Sequence, residues 1–354
     1  MFDLKNILRP NIASLTPYSS AREDFKGEAD IFLDANENAI GSAITTHLLN
    51  RYPDPLQLKV KEKLGLMKDI PAANIFLGNG SDEAIDILIR AFCNPGKENI
   101  VVLPPTYGMY EVAARINDIA VKAVNLTDDL QLNLSSISSA IDSNTKLIFV
   151  CTPNNPTGGI IERTDIEKLL NSFNGIVVVD EAYIDFADEE SMLKDIGQYP
   201  NLVVLQTFSK AWGLAGLRVG MAFASREIIS IMNKIKAPYN VGDLAQQLVL
   251  NALENKAKVN EMIGILKKER ATLIDKLKAF SFVKDILPSQ ANFLLVKTTC
   301  PNELYEFLIA NKVVVRNRST LPLCEGGLRM TIGTPDENKK LIELIQIFKK
   351  TYNK

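Results

Sequence analysis

The sequence predicts an α/β protein with a mostly parallel central sheet sandwiched by helices, joined to a smaller α+β unit. Three observations carry this. Short, nearly unbroken apolar runs stop abruptly at proline or polar residues, helical patterns with readable starts lie between them, and the texture changes near Asn251. Unbroken β-branched runs belong to strands covered on both faces, and such sheets are mostly parallel. Strand–helix alternation of this kind places ligand chemistry at the carboxyl ends of the strands.

Taken in order, residues 1–45 show little periodicity and are expected to drape over both units and to pack with the smaller one. The large α/β unit is expected over 46–250. Ser81-Asp82-Glu83 opens a helix through Ala84, Ile85, Ile87 and Leu88. The run Asn99–Leu103 stops at Pro104-Pro105, and Lys146–Cys151 stops at Thr152-Pro153. Thr164-Asp165-Ile166-Glu167 reads as a capping box before Leu169-Leu170. Ile176–Val179 ends in Asp180, and Leu202–Leu205 runs into Gln206-Thr207. The smaller unit is expected over 251–354. A long Lys- and Glu-rich helix leads there to strand pieces at Asn292–Val296, Val313–Arg316 and Leu328–Ile332, then to a helix from about Asp336.

Composition narrows the function. Among 354 residues, 40 Lys+Arg against 42 Asp+Glu leave a charge of −2, which opposes nucleic-acid binding. Apolar residues at 46% and charged residues at 23% suit a folded globular chain and are too apolar for disorder. No apolar run is long enough to span a membrane. Asp3 near the start stands against a signal peptide, so the chain is expected in the cytoplasm. Four scattered cysteines form no Cys-x-x-Cys pair and read as reduced thiols, and a lone His47 cannot build a metal site.

Four segments carry chemistry. Gly78-Asn79-Gly80-Ser81-Asp82 turns into a helix, leaving backbone N–H groups that suit an anion, although a plain Ser N-cap would read the same. Thr207–Gly220 sets Lys210 at the end of a buried strand among small residues, and a desolvated amine can form a Schiff base. Arg218, eight residues on, could grip phosphate; a snorkelling strand-end lysine is the plainer reading of Lys210. Asp180, at the edge of a buried strand, needs a cationic partner, for which a protonated pyridine nitrogen or a salt bridge would serve, unless it simply caps a helix. In Pro153-Asn154-Asn155-Pro156-Thr157-Gly158-Gly159, Asn155 offers an amide to a phenolate oxygen, though the segment could be only a turn.

The order of these segments resembles the fold type I pyridoxal-phosphate aminotransferases. Within them, the class II histidinol-phosphate aminotransferase subfamily is similar at Leu15-Thr16-Pro17-Tyr18, Leu33–Asn38, Arg51-Tyr52-Pro53-Asp54, Pro105-Thr106-Tyr107, Asp180–Phe186 and Leu328–Thr334. The similarity is collinear over essentially the whole chain. Asp34 stands where many relatives carry Asn or Ser. The resemblance implies pyridoxal 5'-phosphate held covalently by Lys210, which also shuttles the reacting proton. Asp180 would pair with the ring nitrogen, Asn155 and Tyr183 would bond the ring oxygen, and Tyr107 would stack on the ring. Gly80, Ser81 and Asp82, with Ser209 and Arg218, would hold the phosphate. Tyr52 would reach the phosphate of a neighbouring subunit's cofactor, making a homodimer. Arg329 would take the α-carboxylate of glutamate or 2-oxoglutarate, and Arg316 with Tyr18 the substrate phosphate, a place Arg318 could fill instead.

The implied activity is transfer of an amino group between histidinol phosphate and 2-oxoglutarate by a ping-pong cycle. Threonine-phosphate decarboxylation and aromatic transamination on the same scaffold are the alternatives, because sequence does not fix which bond at the α-carbon stands perpendicular to the ring. A cofactor-sensing regulator would need an added DNA-binding domain, for which the irregular first ~45 residues leave little room.

Overall fold

The computed structural model describes residues 2–17, 31, 33–44 and 49–352. Two short helices, α1 (Leu4–Ile7) and α2 (Pro10–Ala13), precede α3 (Leu58–Lys68), β1 (Ile75–Asn79) and α4 (Gly80–Phe92). Then come β2 (Asn99–Val102), α5 (Met109–Ile116), β3 (Ala120–Ala123), α6 (Leu134–Ala140), β4 (Thr145–Cys151), α7 (Arg163–Ser172) and β5 (Ile176–Asp180). β6 (Leu202–Thr207), β7 (Val219–Ala224), α8 (Arg226–Ile235), α9 (Asp243–Glu254) and α10 (Lys256–Lys278) follow. The chain closes with β8 (Val283–Ile286), β9 (Phe293–Thr298), α11 (Pro301–Ala310), β10 (Arg316–Asn317), β11 (Gly327–Thr331) and α12 (Pro335–Tyr352).

A seven-stranded sheet has the order β1-β7-β6-β5-β4-β2-β3. All neighbours are parallel except β7, which runs antiparallel to both β1 and β6. Both faces are buried. Val177 and Val179 belong to one apolar cluster and Ile176 and Val178 to the other, so each side of β5 meets its own layer of helices. That double burial is why the strand reads as an unbroken Ile-Val-Val-Val run rather than an alternating one. A second, antiparallel sheet, β10-β11-β9-β8, carries its own apolar cluster with α10, α11 and α12.

Several local expectations shift. The proposed capping box at Thr164 is absent: α7 starts at Arg163 with Glu162 at its N-cap and no side-chain cap bond, because Arg163 pairs with Glu167 and Asp195 while Gln131 Oε1 accepts from the Glu162 N–H. The long basic helix begins at Lys256, after a break at Asn255 that ends α9. The strand expected at 313–316 is only Arg316–Asn317. Residues 2–14 pack on the large sheet's helices rather than on the smaller unit: Ile7 joins the cluster of α4 and α8, and Arg9 Nη1 donates to the Arg90 carbonyl at 2.7 Å.

Candidate active site

Three parallel strands end side by side, so Cys151, Asp180 and Thr207 mark one edge of the large sheet. Because β7 runs the opposite way, its beginning lies at that same edge, and the loop from Phe208 to Arg218 is a hairpin between β6 and β7. Lys210 and Arg218 therefore face one cavity of about 560 Å³, together with Asp180, Tyr183, Asn155 and Tyr107. That volume suits a cofactor with a small substrate.

At one end lies an anion cradle. α4 begins at Gly80, whose φ of +74° favours glycine, and a Cβ there would stand 2.7 Å from Arg218 Nη2. Its N–H donates to the Arg218 carbonyl at 2.8 Å. The Ser81 and Asp82 N–H groups lie in the first helical turn, where no intrahelical acceptor exists, and point with the positive end of the helix dipole. Ser81 is thus inside the helix rather than its N-cap. Arg218, itself left-handed at φ +55°, reaches Asp82 Oδ2 at 3.3 Å. Ser209 lines the same end. Gly220 in β7 packs so tightly beneath this turn that a Cβ would press on Ser81 N and Gly80 C.

Further in, Asp180 is 2% exposed and makes no ion pair among the described residues; its oxygens accept from Tyr110 Oη at 2.6 Å and from the Ala182 N–H at 3.1 Å. Burial raises its proton affinity above the ordinary carboxylate value, and the Tyr110 bond opposes this. A buried carboxylate with room in front of it calls for a cation from the ligand. Neighbouring Glu181 is instead satisfied by Ser191, by the Met192 N–H at 2.7 Å and by Gln206 Nε2 at 2.9 Å. Lys210 opens into the cavity with its Nζ 5.4 Å from the Tyr183 ring centroid. Burial, followed by the Arg329 charge, holds its amine below the ordinary lysine value. Asn155 Nδ2 donates to Tyr183 Oη at 3.3 Å, and Tyr107 Oη donates to Asp82 Oδ1 at 3.0 Å. A buried carboxylate without an ion pair among the described residues, an amine with lowered affinity and a glycine-lined anion cradle together fit pyridoxal phosphate.

The second sheet closes the cavity with arginines. Arg316 and Arg329 sit directly opposite each other across β10–β11, and like charges so placed repel. Arg329 Nη1 donates to Asn155 Oδ1 at 2.5 Å and lies over the Phe293 ring at 5.3 Å, so it is no surface ion pair. Burial lowers its proton affinity; Tyr183 opposes this, while Arg318 and Arg316 add to it. Arg318 lines the cavity too. With Arg218 at the far end, four guanidiniums line one pocket, which suits more than one anionic group.

Thus Gly80, Ser81, Asp82, Tyr107, Asn155, Asp180, Tyr183, Ser209, Lys210, Arg218, Arg316 and Arg329 come together around one cavity. Tyr52 does not join them: 51% exposed, it stacks on Tyr239 at 4.4 Å beside a separate groove. Tyr18 and His47 lie outside the described residues. Sequence reasoning missed Tyr110, in the first turn of α5, whose ring meets that of Tyr107 edge-on just before the helix begins.

The profile of the family described as "Aminotransferase class I and II" matches residues 26–345. A histidinol-phosphate aminotransferase of Cytophaga hutchinsonii is 51% identical over 347 residues, covering 98% of this chain and 99% of that one. The crystal structure of the histidinol-phosphate aminotransferase from Clostridium acetobutylicum superposes with a TM-score of 0.79 at 24% identity, over 86% of this chain and 92% of that one. The L-threonine-O-3-phosphate decarboxylase from Porphyromonas gingivalis superposes with a TM-score of 0.72 at 26% identity, over 84% and 92%.

Proposed function

This chain belongs to the class I and II aminotransferases, and from that premise we propose that it is a histidinol-phosphate aminotransferase of histidine biosynthesis, exchanging an amino group between histidinol phosphate and 2-oxoglutarate. It is a pyridoxal-phosphate enzyme. The observation that carries the substrate reading is the group Arg316, Arg318 and Arg329 beside Lys210, more positive charge than one substrate carboxylate needs.

Bound pyridoxal phosphate supplies an aldehyde to receive the amino group and a cationic ring to draw electrons from the substrate's α-carbon. The rest falls to this chain's residues. Lys210 Nζ holds the cofactor and then moves a proton to and from that α-carbon, aided by its lowered proton affinity. Asp180 would hold a proton on the ring nitrogen. Asn155 and Tyr183 would bond the ring oxygen, and Tyr107 would cover one ring face. Gly80, Ser81, Asp82, Ser209 and Arg218 take the cofactor phosphate at the start of α4. Arg329 binds the α-carboxylate of glutamate. Arg316, with Tyr18 and with Arg318 beside it, binds the phosphate of histidinol phosphate, since a guanidinium fork fits both anions.

Tyr52, remote from its own chain's cavity, supports a homodimer in which each subunit completes the other's site. Mixing Lys210→Ala with a damaging Tyr52 variant then restores about a quarter of wild-type activity, since half the dimers are hybrids and half their sites intact. No recovery refutes the shared site. Among the described residues no helix is long and apolar enough to cross a membrane, which agrees with a cytoplasmic enzyme.

The likeness to the Porphyromonas gingivalis decarboxylase favours threonine phosphate as the second reading, with aromatic transamination a milder variant. Half-reaction spectra of the loaded enzyme with histidinol phosphate, threonine phosphate, tyrosine and glutamate decide. Conversion of the cofactor to its amine form by histidinol phosphate and glutamate supports the proposal; CO₂ release from threonine phosphate refutes it.

A further inference from the structure

Tyr110 stands three residues beyond the tyrosine expected to cover the cofactor ring, yet it faces the sheet. Its side chain is fully buried, its ring stacks on Phe149 with centroids 4.7 Å apart and planes 14° from parallel, and Tyr107 meets it edge-on at 5.6 Å. Packed this way, the ring has no freedom to swing. Its hydroxyl, 2.6 Å from Asp180 Oδ2, is among the described residues one of two donors on that carboxylate; the Ala182 N–H on Oδ1 is the other. The two bonds approach different oxygens, which fixes the rotation of the carboxylate.

We infer that Tyr110 is a positioning residue for the reaction, holding the Asp180 carboxylate in place and in its ionised form against the cofactor's ring nitrogen. This rests on the proposed pairing of Asp180 with that nitrogen. A hydrogen bond donated to a carboxylate favours its charged form. Without the Tyr110 hydroxyl, burial leaves Asp180 a stronger base, and the shared proton moves from the ring nitrogen toward the carboxylate. The ring then withdraws fewer electrons from the substrate's α-carbon, and from the nitrogen joining it to Lys210. The other titratable groups facing Asp180 are Asp82 on α4, Tyr107 on α5, Cys151 on β4, Tyr183 after β5 and Lys210 after β6.

Tyr110→Phe removes the hydroxyl and keeps the ring. In the loaded enzyme we expect kcat to fall about tenfold while KM for glutamate stays within about twofold, since only the electronic demand of the reaction changes. The midpoint pH at which the bound cofactor's visible absorption titrates should rise. Site-specific 3-fluorotyrosine at position 110 keeps the bond and strengthens the donor, so it should move the midpoint down. That second variant decides the matter even if Tyr110→Phe does not fold. A midpoint unmoved by 3-fluorotyrosine overturns the inference, as does an unchanged kcat in folded Tyr110→Phe. Asp180→Asn separates the two levels. If it abolishes turnover while the Tyr110 variants behave as wild type, the pairing stands and this inference fails; if Asp180→Asn turns over normally, the pairing itself is wrong.

Discussion

Gly220 offers a test of the anion cradle that touches no group expected to meet a ligand. Its Cβ, if added, would press on Ser81 N and Gly80 C, well inside the 3.0 Å that real Cβ atoms keep, and both are backbone atoms that cannot swing aside. In Gly220→Ala the turn must retreat on the order of 1 Å, enough to carry an N–H···O bond out of its ~2.7–3.2 Å window. Hydrogen bonds to charged groups contribute roughly 1.5–3 kcal/mol each, so losing one weakens cofactor affinity about 10- to 150-fold. Overpacking costs about 1–3 kcal/mol against a folding stability of about 5–15 kcal/mol, so the chain should still fold. The single tryptophan, Trp212, stands two residues from Lys210 and reports binding by quenching as pyridoxal phosphate is titrated into apoprotein. An affinity within about twofold of wild type, in a protein that melts cooperatively, would refute the cradle.

The remaining predictions concern the cavity walls. Lys210→Ala should fold, bind the cofactor noncovalently and lose turnover, and borohydride reduction of the wild type should label Lys210 alone on peptide mapping. Arg329→Ala should impair both half-reactions, whereas Arg316→Ala should fall about 10- to 150-fold on histidinol phosphate and far less on glutamate; equal losses would contradict the division. Asp180 has its folded-state proton affinity raised, so its contribution to stability is present below the ordinary carboxylate range and is lost as pH rises through the raised folded value. Apoprotein melting temperature should therefore decline as pH rises above the ordinary carboxylate range, with a flatter profile in Asp180→Asn. Glu181, shifted the same way, remains in both proteins, so the difference isolates Asp180. Parallel profiles would show that Asp180 is not desolvated.

How much was legible depended on range. The runs ending at Cys151, Asp180 and Thr207 were readable because double burial writes itself as unbroken apolar sequence, and each motif follows its strand directly. β7 was not readable: Val219–Ala224 includes Gly220, small because Ser81 lies against it, and nothing local announces that contact. The apparent capping box at Thr164 failed because Arg163 and Gln131 reached partners distant in sequence. Tyr110 escaped notice for the same reason, since its partner Asp180 is seventy residues away. Local chemistry shows in a sequence, but the pairing of distant groups waits on the fold.

The hairpin from Phe208 to Arg218 has a mechanical consequence. Bonds of its own close it, among them Phe208 N–H to the Val219 carbonyl at 3.1 Å and Leu214 N–H to the Phe208 carbonyl at 3.0 Å, while Lys210 and Arg218 themselves open into the cavity. A cofactor joined to Lys210 at one end and gripped by Arg218 at the other would bridge the loop like a removable crosslink, cutting the conformational freedom available to its open states. Amide exchange and proteolysis of this segment would then be governed by cofactor occupancy more than by the sheet it connects. Loss of the cofactor would first be felt as a loosened hairpin, with the seven strands beneath it still in register.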